Sequence, residues 1–439
     1  MCKILKISLT GVIFLSLLQY LLHADVTAVG QNIVIFKTSV ADITTNQREL
    51  NESLGLIEKK ALQVFQSLSR FTVGTVNHTV STQDIMPLLE KIKTYKNGKN
   101  GVTEEVRIGK TVFSAEDFNN ILHSYLIVVP VMTGFTIETL NNEGGGTKYK
   151  TNIAVTYTII KVENATVLSN IELEATGYDK DQASAVNDAI EDLPIQLTYE
   201  VRSLDVFSLQ DRIVEVLGPD AAIRLGREQG VSVGDEYAII TPGDTGPLES
   251  GLIIIHDIED KVSLGKIIYA AGSVTAGMPV REVPRVGLEM VPYVHVEMNF
   301  ENSTYYGSAG LKLVLTKGFF VIRPVVCFEV GLYPFEQLET DLPVRVFGGL
   351  DFNIYLGRFQ LGGMAAVGTQ IMTALSPAST VDGFEFSYIG LAGIANISYL
   401  VTRDVKLILD LGYQAWFTVN DNYQSYEGWL VGAGIGIKF

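Results

Sequence analysis

From Val286 to Phe439 apolar and polar residues alternate one by one through eight runs. They lie at about 287–300, 307–316, 319–332, 344–356, 358–371, 384–400, 404–419 and 428–439. Alternation at period two gives a strand two unlike faces. Most runs hold ten to sixteen residues, more than the five or six usual in globular sheets. A tilted strand needs roughly 9–11 residues to cross a bilayer. The connections alternate too: longer ones at 301–306, 333–343, 372–383 and 420–427, tight turns near Lys317-Gly318, Gly357-Arg358 and Thr402-Arg403.

Long loops at one end and short turns at the other suit a transmembrane barrel, and the faces agree. Leu288, Met290, Pro292, Val294, Val296 and Met298 share one side of the first run. Phe320, Ile322, Pro324, Val326, Phe328 and Val330 share one side of the third. These faces carry no charge, as a lipid-facing surface requires: a charge near the bilayer midplane costs about 2–4 kcal/mol. The opposite face holds the acids Glu289, Glu297, Glu329, Asp351 and Asp410 and the bases Lys312, Arg323, Arg345, Lys406 and Lys438, with His295 among them. Glycines crowd that face, among them Gly310, Gly349, Gly368, Gly412, Gly432 and Gly436. They suit the narrow interior of an eight-stranded barrel, which has no room for an aqueous channel. The expectation is a plugged anchor whose lumen is filled by an ion-pair network. A soluble barrel, apolar within and polar without, is the alternative. In the sixth run Phe384, Phe386 and Tyr388 change phase against Ile389 and Leu391, which predicts a bulge.

The last run, EGWLVGAGIGIKF, places Trp429, Val431, Ile435, Ile437 and Phe439 on one face. With its terminal Phe it resembles the C-terminal signal by which bacterial outer-membrane barrels are recognised for assembly. That resemblance implies the barrel assembly machinery and outer-membrane lipid as partners. Eight is even, so both barrel ends emerge on one side, which the resemblance makes the periplasm.

Ahead of the barrel, Lys3 and Lys6 precede an apolar run from Ile7 to Leu22. Residues 1–28 read as a secretory signal, with a retained anchor helix as the alternative. Residues 29–206 read as an α/β domain. A strand, Asn32 to Phe36, is followed by Leu50, Leu54, Ile57, Ala61, Val64, Phe65 and Leu68 at helical spacing. A hairpin (Leu126 to Leu140, Lys148 to Val167), a third run (Asn170 to Gly177) and a helix to Leu204 with Pro194 as a kink complete it. The opening NIVIF, YKTNIAVTYTIIKVENATVLSNIELEATG and DKDQASAVNDAIEDL resemble the periplasmic domain shared by the curli secretion lipoprotein, the TolB N-terminal domain and the peptidoglycan-synthase activator lipoproteins. The lipid-bearing Cys of those lipoproteins is missing, and a barrel would replace that anchor.

Residues 207–285 read as a small β (SH3-like) domain of five strands and a linker. Gly226, Gly230, Val231, Gly234 and Asp235 resemble a run in the small β-domain of the flagellar outer-ring protein. The expected fold is therefore multi-domain: a periplasmic α/β domain, a small β domain, then an eight-stranded antiparallel transmembrane barrel.

A formal net charge of −16 argues against a nucleic-acid partner. Beyond the signal only Cys327 remains, so neither a disulfide nor a cysteine-pair metal site is available. No His-Glu-x-x-His and no Gly-x-Ser-x-Gly occurs. No catalytic, cofactor or metal residue is assigned, and no cofactor is expected. The expected function is a non-enzymatic outer-membrane anchor presenting residues 29–285 to an unidentified periplasmic or envelope protein. An oligomeric secretion component is one alternative. A barrel-embedded hydrolase using His295 beside Glu297 is the other. Acids in the long loops (Glu301, Glu336, Glu339, Asp341, Asp382, Asp421, Glu427) form a solvated face or a cation-binding one.

Overall fold

The computed structural model describes residues 31–41, 43, 46–68, 71–98, 102–141, 147–243, 246–299, 304–332, 341–374, 384–419 and 425–439. The expected signal segment lies outside them. The chain divides into two compact units, Met1–Ile190 and Glu191–Phe439.

In the first unit β1 (Gln31–Lys37), β2 (Ser39–Val40), α1 (Gln47–Ser67), β3 (Phe71–Thr79), α2 (Ile85–Asn97), β4 (Val106–Ile108), β5 (Thr111–Phe113) and α3 (Ala115–His123) come first. The long strands β6 (Leu126–Asn141), β7 (Thr147–Lys161) and β8 (Thr166–Asp179) and helix α4 (Gln182–Ser203) follow. The sheet order is β3-β1-β6-β7-β8. β1 pairs in parallel with β3 and β6, and β6, β7 and β8 are antiparallel. The unbroken apolar run Ile33-Val34-Ile35-Phe36 explains the two-sided burial of β1. Val34 and Phe36 join one core with Leu88, Leu89 and Ile92 of α2 and Phe118, Ile121 and Leu122 of α3. The start of α3 is capped as its Ser-Ala-Glu-Asp sequence suggests, Asp117 N donating to Ser114 Oγ at 3.0 Å. Gly177 of β8 is obligatory in packing: a Cβ there would overlap the backbone of Ala185 and Ala189 in α4. The strand expected from Lys148 to Val167 breaks at a turn where Ala165 has φ 47°. Pro194 lies within α4, the helix in which the two compact units divide.

The second unit continues with β9 (Gln210–Leu217), β10 (Asp220–Ile223), β11 (Glu236–Gly243), β12 (Gly246–Ile258), β13 (Ser263–Ala270) and β14 (Pro279–Val283). These close into a six-stranded barrel in the order β10-β13-β12-β11-β14-β9. The expectation of five strands and a linker is corrected. PVREV pairs with both β11 and β9 and seals the barrel, and its five residues are too few to show a period.

Next come β15 (Leu288–Asn299), β16 (Thr304–Leu315), β17 (Ile322–Leu332), β18 (Asp341–Leu356), β19 (Phe359–Ala374), β20 (Phe384–Leu400), β21 (Val405–Thr418) and β22 (Tyr426–Lys438). Each pairs antiparallel with the next, and β22 returns to β15, closing an eight-stranded barrel. The closure runs to the last residue: Phe439 N donates to Leu288 O at 2.9 Å. The phase change in the sixth run is a bulge, where Gln370 faces Tyr388 but Ile371 faces Phe386. Asp341 and Glu427, expected in loops, lie within strands. The other five loop acids are outside the described residues. No helix among the described residues is long and apolar enough to cross a membrane.

Candidate functional site: a filled lumen and the seam beneath it

Pleating sorts the barrel residues. Val294, Val326, Phe328, Ile354, Leu391 and Leu409 stand exposed on the outer wall. Glu289, His295, Glu297, Lys312, Arg323, Glu329, Arg345, Asp351, Lys406 and Asp410 are all buried inside. Small inward residues make the space: a Cβ on Gly310 would meet the Tyr293 ring, on Gly390 the Trp416 ring and on Gly432 the His295 ring.

Inside, the charges form two linked clusters. Nearer the start of β15, Glu289 Oε1 lies 2.6 Å from Lys406 Nζ, and Arg323 bridges Glu289 at 3.5 Å and Asp351 at 2.5 Å. Farther along, Arg345 pairs with Glu297 and, at 2.7 Å, with Glu329. Its Nε donates to Gln370 at 2.8 Å, and its guanidinium lies 5.1 Å from the Trp416 ring centre. His295 sits between them, Nε2 at 3.2 Å from Asp410 and Nδ1 at 3.5 Å from Glu329. Each acid thus faces a base, as burial of charge demands. The space beside His295, Lys312 and Glu329 is about 10 Å³, room for at most one water. Cys327 is buried against Met364.

Lys438 lies in register with Glu289 at the short-turn end of the large barrel. Its Nζ reaches Glu236 of β11 at 2.6 Å, and Glu236 also takes Arg285 at 3.0 Å. Both partners come from outside the barrel strands, which is why alternation alone assigns Lys438 to the lumen. The seam runs around the whole short-turn end. Gly318 N donates to Val233 O at 2.7 Å, Arg358 lies 3.8 Å over the Tyr269 ring, and Arg403 pairs with Glu249 at 2.5 Å. Gly234 (φ 85°) admits the Thr316 carbonyl where any Cβ would collide. Between these polar contacts lies a dry patch: Leu252, Ile254 and Ile268 of the small barrel against Tyr355, Leu400 and Phe320 of the large one. Phe320, expected on the lipid-facing side of the third strand, instead stacks on Tyr355 at 5.2 Å, since β17 starts only at Ile322.

The end of α4 is tied into the same seam. Arg202 Nε donates to Glu282 at 2.6 Å and Nη2 lies 3.5 Å from Asp235. Glu282 also accepts from Leu209 N at 3.0 Å. Burial pushes the Asp235 carboxyl above the usual carboxylate range, against the pull of Arg202 and of the Ser232 N–H. Sequence reasoning misses Arg202, Glu236, Glu282 and Arg285. REVPR sets its charges beside apolar residues with no period to assign them to a face.

Trp429, Val431 and Ile435 of the final strand are exposed on the outer wall, Phe439 is exposed at the chain end and Ile437 is half-buried.

No protein-family model matches the chain, and no curated protein matches it. Several solved structures match about a third of the chain. Neisserial surface protein A is 16% identical over 35% of this chain and 96% of its own, with a TM-score of 0.28. A major outer membrane protein from Thermus thermophilus is 10% identical over 35% and 99%, TM-score 0.21. Lipoprotein GNA1162 from Neisseria meningitidis is 11% identical over 38% and 98%, TM-score 0.22. TM-scores this low carry no functional inference.

Proposed function

We propose that this chain is a non-enzymatic bacterial outer-membrane protein whose plugged eight-stranded barrel anchors a periplasmic binding or scaffolding module. The observation that carries the reading is the outer wall. A closed barrel exposes an apolar band on every strand while its mid-strand charges turn inward and pair. Water would not select that sorting, and hydrocarbon does. Ion pairs and large side chains line the lumen, which supports an anchor over a pore.

The small barrel belongs with the anchor. Its seam combines a dry core with buried ion pairs, so it serves as a rigid base for the module, and residues 31–190 are the part free to engage an envelope partner. The barrel assembly machinery and outer-membrane lipid are the expected partners of residues 286–439.

The test uses the full chain. Membranes from expressing cells are fractionated by density, then washed with carbonate and urea. Retention in the outer-membrane fraction, with extraction only by detergent, is expected. A monodisperse full-length protein in plain buffer would overturn the reading.

A further inference from the structure

A second cavity lies at the seam, entirely within residues 191–439. It measures about 420 Å³ and opens between the end of α4, β12, β14 and the turn joining β20 to β21. Arg281, Arg285, Arg403 and Lys438 supply four cations to its wall. Asp205, Glu249, Glu282 and Asp404 supply four anions.

Two guanidinium groups share one carboxylate there: Glu249 takes Arg281 at 3.0 Å and Arg403 at 2.5 Å. Each guanidinium carries five N–H donors, and both side chains stay about a third exposed (37% and 36%). Each also meets a second carboxylate, Arg281 with Asp205 at 3.9 Å and Arg403 with Asp404 at 3.4 Å, and keeps further N–H donors for an oxyanion. Ser208 also lines the cavity, and its Oγ is buried with no hydrogen-bond partner. Beside Arg281, at 3.9 Å, Asp205 is 87% exposed. It is an acceptor open to an ammonium group.

The surroundings add an apolar requirement. Directly beside Arg403 and Lys438 the outer wall presents Val401, Leu407, Ile435 and Phe439, all exposed. Leu407 pairs with Ile435, and Val405 with Ile437, in one continuous strip. A ligand seated in the cavity can therefore lay hydrocarbon along the wall.

We propose that this cavity binds a phosphodiester carrying a primary ammonium, the headgroup chemistry of phosphatidylethanolamine. Phosphate sits between Arg281 and Arg403, and the ammonium faces Asp205. The balance of charge decides the class. Four cations and four carboxylates already balance in the wall, so a net anion would leave the site charged where a zwitterion keeps it neutral, and a quaternary ammonium could donate no hydrogen bond to Asp205. The proposal leans on the membrane reading only for where the acyl chains lie.

The experiment is native mass spectrometry of the full chain in detergent, with phosphatidylethanolamine, phosphatidylglycerol and phosphatidylcholine of matched chains. Ethanolamine lipid should be retained roughly tenfold or more over the others, about the factor one charge-assisted hydrogen bond supplies. Arg281→Gln with Arg403→Gln should abolish the preference. If that pair of changes fails to fold, Ser203→Trp, an exposed cavity-lining position, should block binding instead. Soluble glycerophosphoethanolamine should compete. Equal retention of the three lipids overturns the proposal, as does competition by inorganic phosphate alone at the same concentration. A detergent-dependent protein indifferent to ethanolamine lipid sinks this site and leaves the membrane reading standing. A protein monodisperse in buffer that still binds glycerophosphoethanolamine does the reverse.

Discussion

Replacing Leu411 with arginine asks the outer wall what bathes it. β21 holds 14 residues, and Leu411 is the seventh. At about 3.4 Å per residue and a tilt of about 40°, the strand rises about 34 Å along the barrel axis, which puts Leu411 close to the midplane of a bilayer. Its side chain faces outward and is 54% exposed. In hydrocarbon, Leu411→Arg should cost about 2–4 kcal/mol. Val419→Arg, just beyond the same strand, should cost about 0–1 kcal/mol. In water both are exposed surface changes worth within about 0.5 kcal/mol. The assay is equilibrium urea unfolding of the full chain in phospholipid vesicles, each variant against wild type. The depth dependence is the point, because a packing defect would not scale with distance from the rim. Equal midpoints for Leu411→Arg and Val419→Arg would refute the membrane-facing wall.

Further outcomes follow from particular contacts. Gly432→Ala drives a Cβ into His295 and should cost about 1–3 kcal/mol, while Gly393→Ala, with nothing within 4 Å of the new Cβ, should leave the urea midpoint unchanged. Glu236→Leu takes the carboxylate from Lys438 and leaves Arg285 with Asp404 alone. It should destabilise by about 3–5 kcal/mol, read as protease sensitivity appearing first in residues 209–285. Asp235→Asn tests the pH dependence. Because the folded carboxyl titrates above its unfolded value, the stability it contributes is full below about pH 3.9 and is lost as pH rises through the folded pKa. The variant escapes that loss, so its melting temperature relative to wild type should be higher at pH 7 than at pH 4.

The large barrel was legible because each of its strands repeats one short-range rule. Alternation in a stretch such as VKLILDLGYQ, at residues 405–414, assigns every side chain to a face with no knowledge of the partner strand. Even its irregularity showed, since a bulge shifts the phase within a few residues of Phe386. The seam was not legible for the opposite reason. Glu236 and Lys438 lie 202 residues apart and Arg202 and Glu282 lie 80 apart, and no local pattern pairs such charges. β14 was hidden because it gains its partners only when the six-stranded barrel closes around it.

The same contrast explains how the two barrels divide their work. The large barrel's wall is specified by alternation and tolerates exchange of one apolar residue for another, as lipid is a forgiving neighbour. The seam tolerates little: Gly234 must pass a carbonyl, Glu236 must satisfy two cations, and Leu252 and Leu400 are fully buried in one shared cluster. Loss of any one of these would free the small barrel from its base while leaving the large barrel closed. The seam is therefore held by contacts that are few, buried and mutually dependent, and the wall of the large barrel by contacts that are many and independent.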